Sequence, residues 1–199
     1  MVSLIKLYNG AEIYTFGKPY LFLMSGVHGE ERSGPLALRK LVKSAELNNV
    51  WVLPCLNVEG YNGNNRLCGQ FNLNSEWKET TQLDFMKQLM ALLEMNKPKL
   101  FVDLHEDYEQ VSYVWSNFNN PTNIEKEVRD FCVKRKVGWI VWPRDKVYEG
   151  TSEDWAQSQN IPAYTPEVGM YNNFDKRLIM AEKFIEFFID LSGKAFAQL

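Results

Sequence analysis

The feature that most constrains the fold is an apolar run that ends in a turn containing glycine and charged residues. Leu21 to Met24 form a run typical of a buried strand, and the turn that follows carries His28, Glu30 and Glu31. A helical pattern of leucines begins directly after the turn. A strand, a turn and a helix in this order place polar side chains at the carboxyl end of a sheet strand, where open α/β folds bind ligands.

Two interpretations of this turn are open from the segment alone. An imidazole and a carboxylate three residues apart suit a divalent ion such as zinc, with His28 and Glu31 as ligands. Alternatively, Glu30 and Glu31 only complement the positive end of the next helix, and His28 takes no part. The choice between them depends on the rest of the chain.

The histidine count limits the kind of metal site that the chain can form. The sequence contains two histidines, His28 and His105, so the third ligand of a catalytic site has to be a carboxylate. His105 ends a second apolar run and has Asp103 and Glu106 beside it. If the two strands run parallel, both histidines lie at one edge of the sheet. Carboxylates grouped around a histidine are costly unless a cation or solvent offsets their repulsion, which favours a metal site with one position left for water.

The order of the predicted elements indicates an α/β fold. A hairpin is predicted around Asn9-Gly10. Six further strands are predicted over residues 21–25, 50–56, 100–105, 111–116, 137–142 and 163–168. Helices are predicted over residues 34–45, 80–96, 122–136 and 175–196, and residues 60–79 form a long loop. We therefore expect a single domain over residues 1–199, a three-layer sandwich in which helices cover both faces of a mixed, mostly parallel sheet.

The composition excludes several classes of protein. The formal net charge of −3 lacks the basic footprint of a nucleic-acid binder, and no apolar run is long enough to span a bilayer. The amino terminus lacks the layout of a signal peptide, and the three cysteines form no Cys-x-x-Cys pair. We therefore predict a cytoplasmic protein with buried, reduced thiols that binds neither a nucleic acid nor a membrane. The oligomeric state is left open.

Four segments resemble, in the same order, segments of the zinc metallocarboxypeptidases, and the length of the chain is closer to that of their compact bacterial members. The segments are His28–Glu31, Asn57–Gly60, Val102–His105, and Gly150–Trp155 together with Thr165–Glu167. The matches extend from about residue 21 to residue 170. The resemblance implies a zinc carboxypeptidase-like fold and one zinc ion per chain, bound by His28, Glu31 and His105.

The resemblance also implies roles for residues that do not bind the metal. Glu167 matches the general base that takes a proton from zinc-bound water and later protonates the leaving amine. Arg66 matches the arginine that stabilises the oxyanion. Tyr148 matches the mobile tyrosine of the substrate lid. Asp103 shares a strand face with His105, where it either orients the histidine or is a solvated acid.

Two departures from the family pattern concern ligand orientation and substrate recognition. The family's Asp-x-Asn-Arg stretch appears here as Asn-Leu-Asn-Ser, which keeps Asn74 as a candidate substrate contact. Asn72 stands where an aspartate orients the first histidine, and Ser75 stands where an arginine holds the substrate's terminal carboxylate. Loss of that guanidinium argues against ordinary C-terminal specificity unless Arg144 or Lys146 replaces it.

Three functional hypotheses follow from these observations. The first is zinc-dependent hydrolysis of an amide bond in a small peptide, with cell-wall peptides among the candidate substrates. The second is cleavage of N-acyl amino acids, as in the related aspartoacylase and succinylglutamate desuccinylase group, which requires a basic pocket from Arg66, Arg144 and Lys146. The third is a binding module without activity, suggested by the two departures. Retention of all three ligands and of Glu167 argues against the third hypothesis.

Overall fold

The computed structural model describes residues 2–44, 46–116, 122–141 and 150–196, which form one sheet between two layers of helices. The strands are β1 (Ser3–Lys6), β2 (Glu12–Phe16), β3 (Leu21–Ser25), β4 (Val50–Leu53), β5 (Leu100–Asp107), β6 (Tyr113–Ser116), β7 (Gly138–Val141) and β8 (Ala163–Gly169). The helices are α1 (Ser33–Ser44), α2 (Val58–Gly63), α3 (Asp84–Asn96), α4 (Thr122–Arg135), α5 (Ser152–Ser158) and α6 (Phe174–Phe196). A single 3₁₀ turn covers Leu73–Ser75.

The sheet is mixed, and its centre is parallel. The strand order is β1-β2-β4-β3-β5-β8-β6-β7. The central strands are mutually parallel and comprise β4, β3, β5 and β8. On either side of them, β2 pairs with β4 and β6 pairs with β8 in antiparallel fashion. The sequence-based prediction of a mixed, mostly parallel sheet covered by helices on both faces is therefore confirmed.

Each face of the sheet has its own hydrophobic core, and β3 contributes to both. Phe22 and Met24 pack on the face covered by α3 and α5, while Leu21 and Leu23 pack on the face covered by α1, α4 and α6. Every residue of β3 is buried. A strand buried on both faces is apolar throughout, which explains why this segment is a continuous apolar run in the sequence.

Two short helices differ from the sequence-based prediction. The start of the predicted 60–79 loop is helical in α2, and α5 was not predicted at all. Both helices are polar and have seven residues or fewer, so they lack the apolar periodicity that identifies longer helices. Side-chain caps define their starts instead, since Asn57 accepts a hydrogen bond from Gly60 N and Thr151 accepts one from Asp154 N.

Two expectations from composition can be compared with the described residues. The three cysteines, Cys55, Cys68 and Cys132, are free and buried, as predicted. Among the described helices, none combines the length and the apolar character that crossing a membrane requires. Arg144, Lys146 and Tyr148 lie outside the described residues, so their predicted roles stay predictions.

Asn57 ties the turn after β3 to the neighbouring loop. Its buried side-chain amide donates hydrogen bonds to Val27 O at 3.3 Å and to Arg66 O at 3.2 Å. The same side chain caps α2, so one residue fixes three segments relative to one another. The turn after β3 and helix α2 approach so closely that a Cβ at Gly29 would lie 2.0 Å from the carbonyl carbon of Gly60. Only glycine fits at position 29 because of this backbone contact.

Gly29→Ala should therefore destabilise the protein by about 2 kcal/mol or more, since the added methyl group has to push backbone atoms apart. Gly63→Ala is the matched control, because a Cβ at Gly63 meets no atom within 4 Å. Chemical denaturation of both variants gives the free energies of unfolding. Equal stability of the two variants would contradict the close approach between the turn and α2.

Candidate metal centre

The carboxyl ends of the parallel strands bring the predicted metal ligands together. His28 and Glu31 lie in the turn after β3, and His105 lies in the neighbouring strand β5. Strand β8 places Glu167 opposite His105 in the register of the β5–β8 pair. The predicted meeting of the two histidines at one edge of the sheet is thus what the structure shows.

The donor atoms of His28, Glu31 and His105 form a compact group. One donor atom from each residue can be chosen so that all three lie within 4.8 Å of one another, and all three side chains are buried. Glu31 Oε2 lies 3.2 Å from His105 Nδ1 and accepts a hydrogen bond from Glu106 N at 3.1 Å. His28 Nδ1 is buried and has no hydrogen-bond partner among the described residues. Two imidazole rings and a carboxylate, with one ring nitrogen of His28 buried and unpartnered, fit a divalent ion such as zinc.

The two histidines carry opposite electrostatic perturbations. Burial, together with the nearby His105 and Arg66, lowers the pKa of His28 to about 2, so its ring is neutral. Burial also disfavours the charged form of His105, but the carboxylates of Asp103 and Glu31 outweigh this effect and raise its pKa well above 6.5. Burial raises the pKa of Glu31 as well. At neutral pH, His105 therefore holds a proton that a metal ion has to displace.

Asp103 lies behind His105, as its position on the same strand face predicted. Its Oδ2 atom is 3.1 Å from His105 Nε2 and accepts a hydrogen bond from Ser152 Oγ at 2.8 Å. Both Asp103 and Ser152 are fully buried. A carboxylate in this position fixes the orientation of the imidazole ring.

Glu106 has a structural role, which the sequence did not reveal. Its two carboxylate oxygens accept hydrogen bonds from Ser33 N at 2.7 Å and from Arg177 Nη1 at 2.8 Å. The carboxylate thereby binds the first turn of α1, where a negative charge is favourable, and pairs with α6. Because Arg177 is 71 residues away in the sequence, no local pattern could have identified this pair.

Arg66 lies against the candidate ligands rather than free in solvent. Its Nη2 atom is 2.9 Å from His28 Nε2, and its Nη1 atom is 3.0 Å from Glu30 Oε1 and 3.7 Å from Glu31 Oε1. Its side chain is nevertheless 48% exposed. Arg66 thus lies beside the candidate metal ligands, its role there stays a prediction, and the sequence did not predict its pairing with Glu30.

A cavity of about 210 Å³ opens above these residues. Its described lining consists of His28, Glu31, Arg66, Asn74, His105, Glu106, Asp107, Tyr108 and Glu167. Four of these nine residues are acidic, and Arg66 is the one lysine or arginine in this described lining. Asp107 and Tyr108 are additions to the predicted site, and their only signal in the sequence is that they closely follow His105.

Glu167 carries its carboxylate into this cavity. Its Oε2 atom is buried and has no hydrogen-bond partner among the described residues. Burial raises the pKa of Glu167 well above 4.5; His105 opposes this shift, and nearby Glu31 and Asp107 add to it. A divalent ion between the candidate ligands adds positive charge beside Glu167 and lowers this pKa again.

The segment that replaces the family's Asp-x-Asn-Arg stretch forms the 3₁₀ turn. Asn72 Oδ1 accepts a hydrogen bond from Asn74 N at 3.2 Å, and Ser75 Oγ donates one to Asn72 O at 2.9 Å. The side-chain oxygen and the backbone oxygen of Asn72 thus make their described hydrogen bonds within this turn. The described partner of His28 Nε2 is Arg66. Asn74 lines the cavity, and Ser75 is outside the described lining.

The fold that carries this site is a zinc carboxypeptidase-like fold. A "putative metallopeptidase" from Shewanella baltica OS155 superimposes with a TM-score of 0.77 and 18% sequence identity, over 96% of this chain and 86% of that one. A metallo-carboxypeptidase from Burkholderia cenocepacia gives a TM-score of 0.75 and 15% identity, over 98% of this chain and 65% of that one. A succinylglutamate desuccinylase/aspartoacylase from Rhodobacter sphaeroides gives a TM-score of 0.71 and 15% identity, over 97% of this chain and 65% of that one. These neighbours come from the groups that the sequence resembles.

No protein-family model matches the chain, and no curated protein matches it in sequence. At identities below 20%, the structural neighbours establish the fold, whereas activity depends on the residues of the site.

Zinc binding at neutral pH should release at least one proton, because His105 has to lose its proton while His28 has none to lose. Affinity should consequently rise with pH until the pKa of His105 is passed, and then level off. Calorimetric titration with zinc in two buffers of different ionisation enthalpy measures the number of protons released. Heats that do not depend on the buffer would contradict this protonation of His105.

Proposed function

We propose that the protein is a zinc-dependent hydrolase that cleaves an amide bond in a small peptide. The observation that carries this proposal is the arrangement at one cavity of His28, Glu31 and His105 beside the unpartnered carboxylate oxygen of Glu167. Three protein ligands leave a further coordination position for water or substrate, which is typical of catalytic rather than structural zinc.

The residues of the chain divide the chemistry between them. A divalent ion supplies Lewis-acid chemistry when bound, since it lowers the pKa of water and polarises a carbonyl group. Glu167 accepts the proton of the attacking water at its carboxylate and returns it to the nitrogen of the leaving amine. Arg66 donates N–H groups to the oxygen that becomes negative during attack. Asp103 and the backbone N–H of Glu106 keep His105 and Glu31 in place.

The charge of the described part of the cavity lining, which leaves out Arg144 and Lys146, supports the peptidase hypothesis more than the deacylase hypothesis. N-acyl amino acids such as succinylglutamate carry several carboxylates and need basic partners. The described lining offers Arg66 alone among lysines and arginines, and Glu30 already pairs with it at 3.0 Å. The deacylase hypothesis keeps the support of the shared fold, and a screen of both small peptides and N-acyl amino acids with the zinc-loaded protein decides between the two classes.

Glu167→Gln should retain zinc and the fold but reduce kcat by roughly 10²-fold or more, the usual size of a general-base contribution. The amide keeps the shape of the side chain and cannot accept the proton. Metal analysis, thermal unfolding and steady-state kinetics on a substrate from the screen provide the three measurements.

Glu59→Gln is the control for this substitution, because Glu59 lies on α2 and outside the described lining of the cavity. It should leave kcat within about twofold of the wild type, as surface substitutions usually do. Near-normal turnover by Glu167→Gln would show that Glu167 is not the general base and would indicate another carboxylate instead.

Amidation of the C-terminus of a peptide substrate should change kcat/KM by less than about tenfold, or roughly 1.4 kcal/mol. The reason is that Ser75, in place of the family's arginine, engages the carbonyl of Asn72, so the strong bidentate contact with a terminal carboxylate is missing at this position. Kinetics on matched free and amidated peptides test the expectation. Hundredfold rejection of the amidated peptide would contradict it, and loss of that preference in Arg144→Ala would identify the replacing cation.

A further inference from the structure

The contacts of Arg66 determine what a metal ion has to change in the site. A guanidinium group only donates hydrogen bonds, so the 2.9 Å contact between Arg66 Nη2 and His28 requires Nε2 to accept. The proton of the neutral ring is then on Nδ1. This contact therefore specifies one tautomer of His28.

That contact is incompatible with a metal ion on His28. If the ion binds Nδ1, the remaining proton of the ring is on Nε2, which then has no lone pair for Arg66. If the ion binds Nε2, it takes the same lone pair that Arg66 uses. In either case, coordination displaces Arg66 from His28. The attraction between Arg66 and Glu31 also weakens, because the bound ion partly neutralises the negative charge of the Glu31 carboxylate.

Glu30 is the partner of Arg66 that metal binding leaves intact. It is outside the group of candidate ligands, its Oε1 atom is 3.0 Å from Arg66 Nη1, and its side chain is only 15% exposed. Its second oxygen, Oε2, is buried without a hydrogen-bond partner among the described residues. A displaced guanidinium can satisfy this oxygen with a second N–H group, which converts a one-point contact into a bidentate pair.

We propose that Glu30 is a positioning residue that holds Arg66 at the cavity once a metal ion has displaced the arginine from His28. This inference rests on the proposed metal site and adds a linked movement to it. Without Glu30, a half-exposed arginine displaced from His28 has no fixed partner and becomes mobile in solvent. With Glu30, the same arginine keeps its N–H groups near the ligands, where an oxyanion would form.

The Nε–H signal of Arg66 in ¹⁵N-labelled protein tests the proposal, with zinc alone as the probe. The signal is assigned by its loss in Arg66→Lys, and zinc is removed with a chelator and returned at one equivalent. In the wild type we expect the signal to shift on zinc addition and to persist. In Glu30→Gln we expect it to be visible before zinc addition and to be lost to solvent exchange afterwards, while zinc remains bound.

Glu59→Gln is the matched control and should behave like the wild type, because it removes a carboxylate that has no described contact with Arg66. A wild-type signal that does not respond to bound zinc overturns the displacement, and this measurement needs no variant that could fail to fold. A zinc-loaded signal in Glu30→Gln that equals the wild-type signal overturns the role of Glu30. Failure of the wild type to bind zinc is a different result, because it removes the metal site itself.

Discussion

The site depends on the contacts of the buried Glu31 carboxylate with strand β5. A charged group in this position is costly unless it is paired and hydrogen-bonded. Glu31 meets this requirement with the backbone N–H of Glu106 and with the ring of His105, both on β5. The turn after β3 is therefore held to the neighbouring strand by its own candidate metal ligand. The same contacts bring Glu31 and His105 together in the candidate ligand group.

The two histidines are equivalent in the sequence pattern but not in the folded protein. His105 lies between two carboxylates, Glu31 and Asp103, and holds a proton at neutral pH. His28 faces a guanidinium group and stays neutral. A divalent ion at the proposed site would consequently have to displace a proton at one ligand and an arginine at the other. This asymmetry would make metal binding dependent on pH through His105 and coupled to side-chain position through His28.

Buried polar pairs connect the site to the helices on each side of the sheet. Glu106 joins the start of α1 to Arg177 on α6, and Asp103 joins His105 to Ser152 at the start of α5. Each carboxylate lies next to a candidate ligand or shares its strand. The helical layers therefore help to fix the orientation of groups in the cavity, and we expect substitutions in these pairs to affect the candidate metal centre indirectly.

The sequence alone predicted the fold class and the candidate ligands for reasons that are local, and its resemblance to the zinc metallocarboxypeptidases implied the candidate base. Buried parallel strands are continuous apolar runs, and residues near the carboxyl end of each run lie at the edge of the sheet, as His28 does in the turn after β3 and His105 does within β5. Only two histidines are present, so the choice of nitrogen ligands had no alternative. The short helices α2 and α5 escaped prediction because hydrogen-bonding caps, rather than apolar periodicity, define them.

Only the tertiary structure decided which charged groups are paired with one another. The partnership of Arg66 with Glu30, and of Glu106 with Arg177, joins residues 36 and 71 positions apart. A sequence pattern contains no distance between such residues, so their pairing, burial and protonation follow from the packing of the strands and helices. The same packing pairs both carboxylate oxygens of Glu106 with Ser33 N and Arg177, whereas it leaves one oxygen of Glu167 in the cavity without a partner among the described residues.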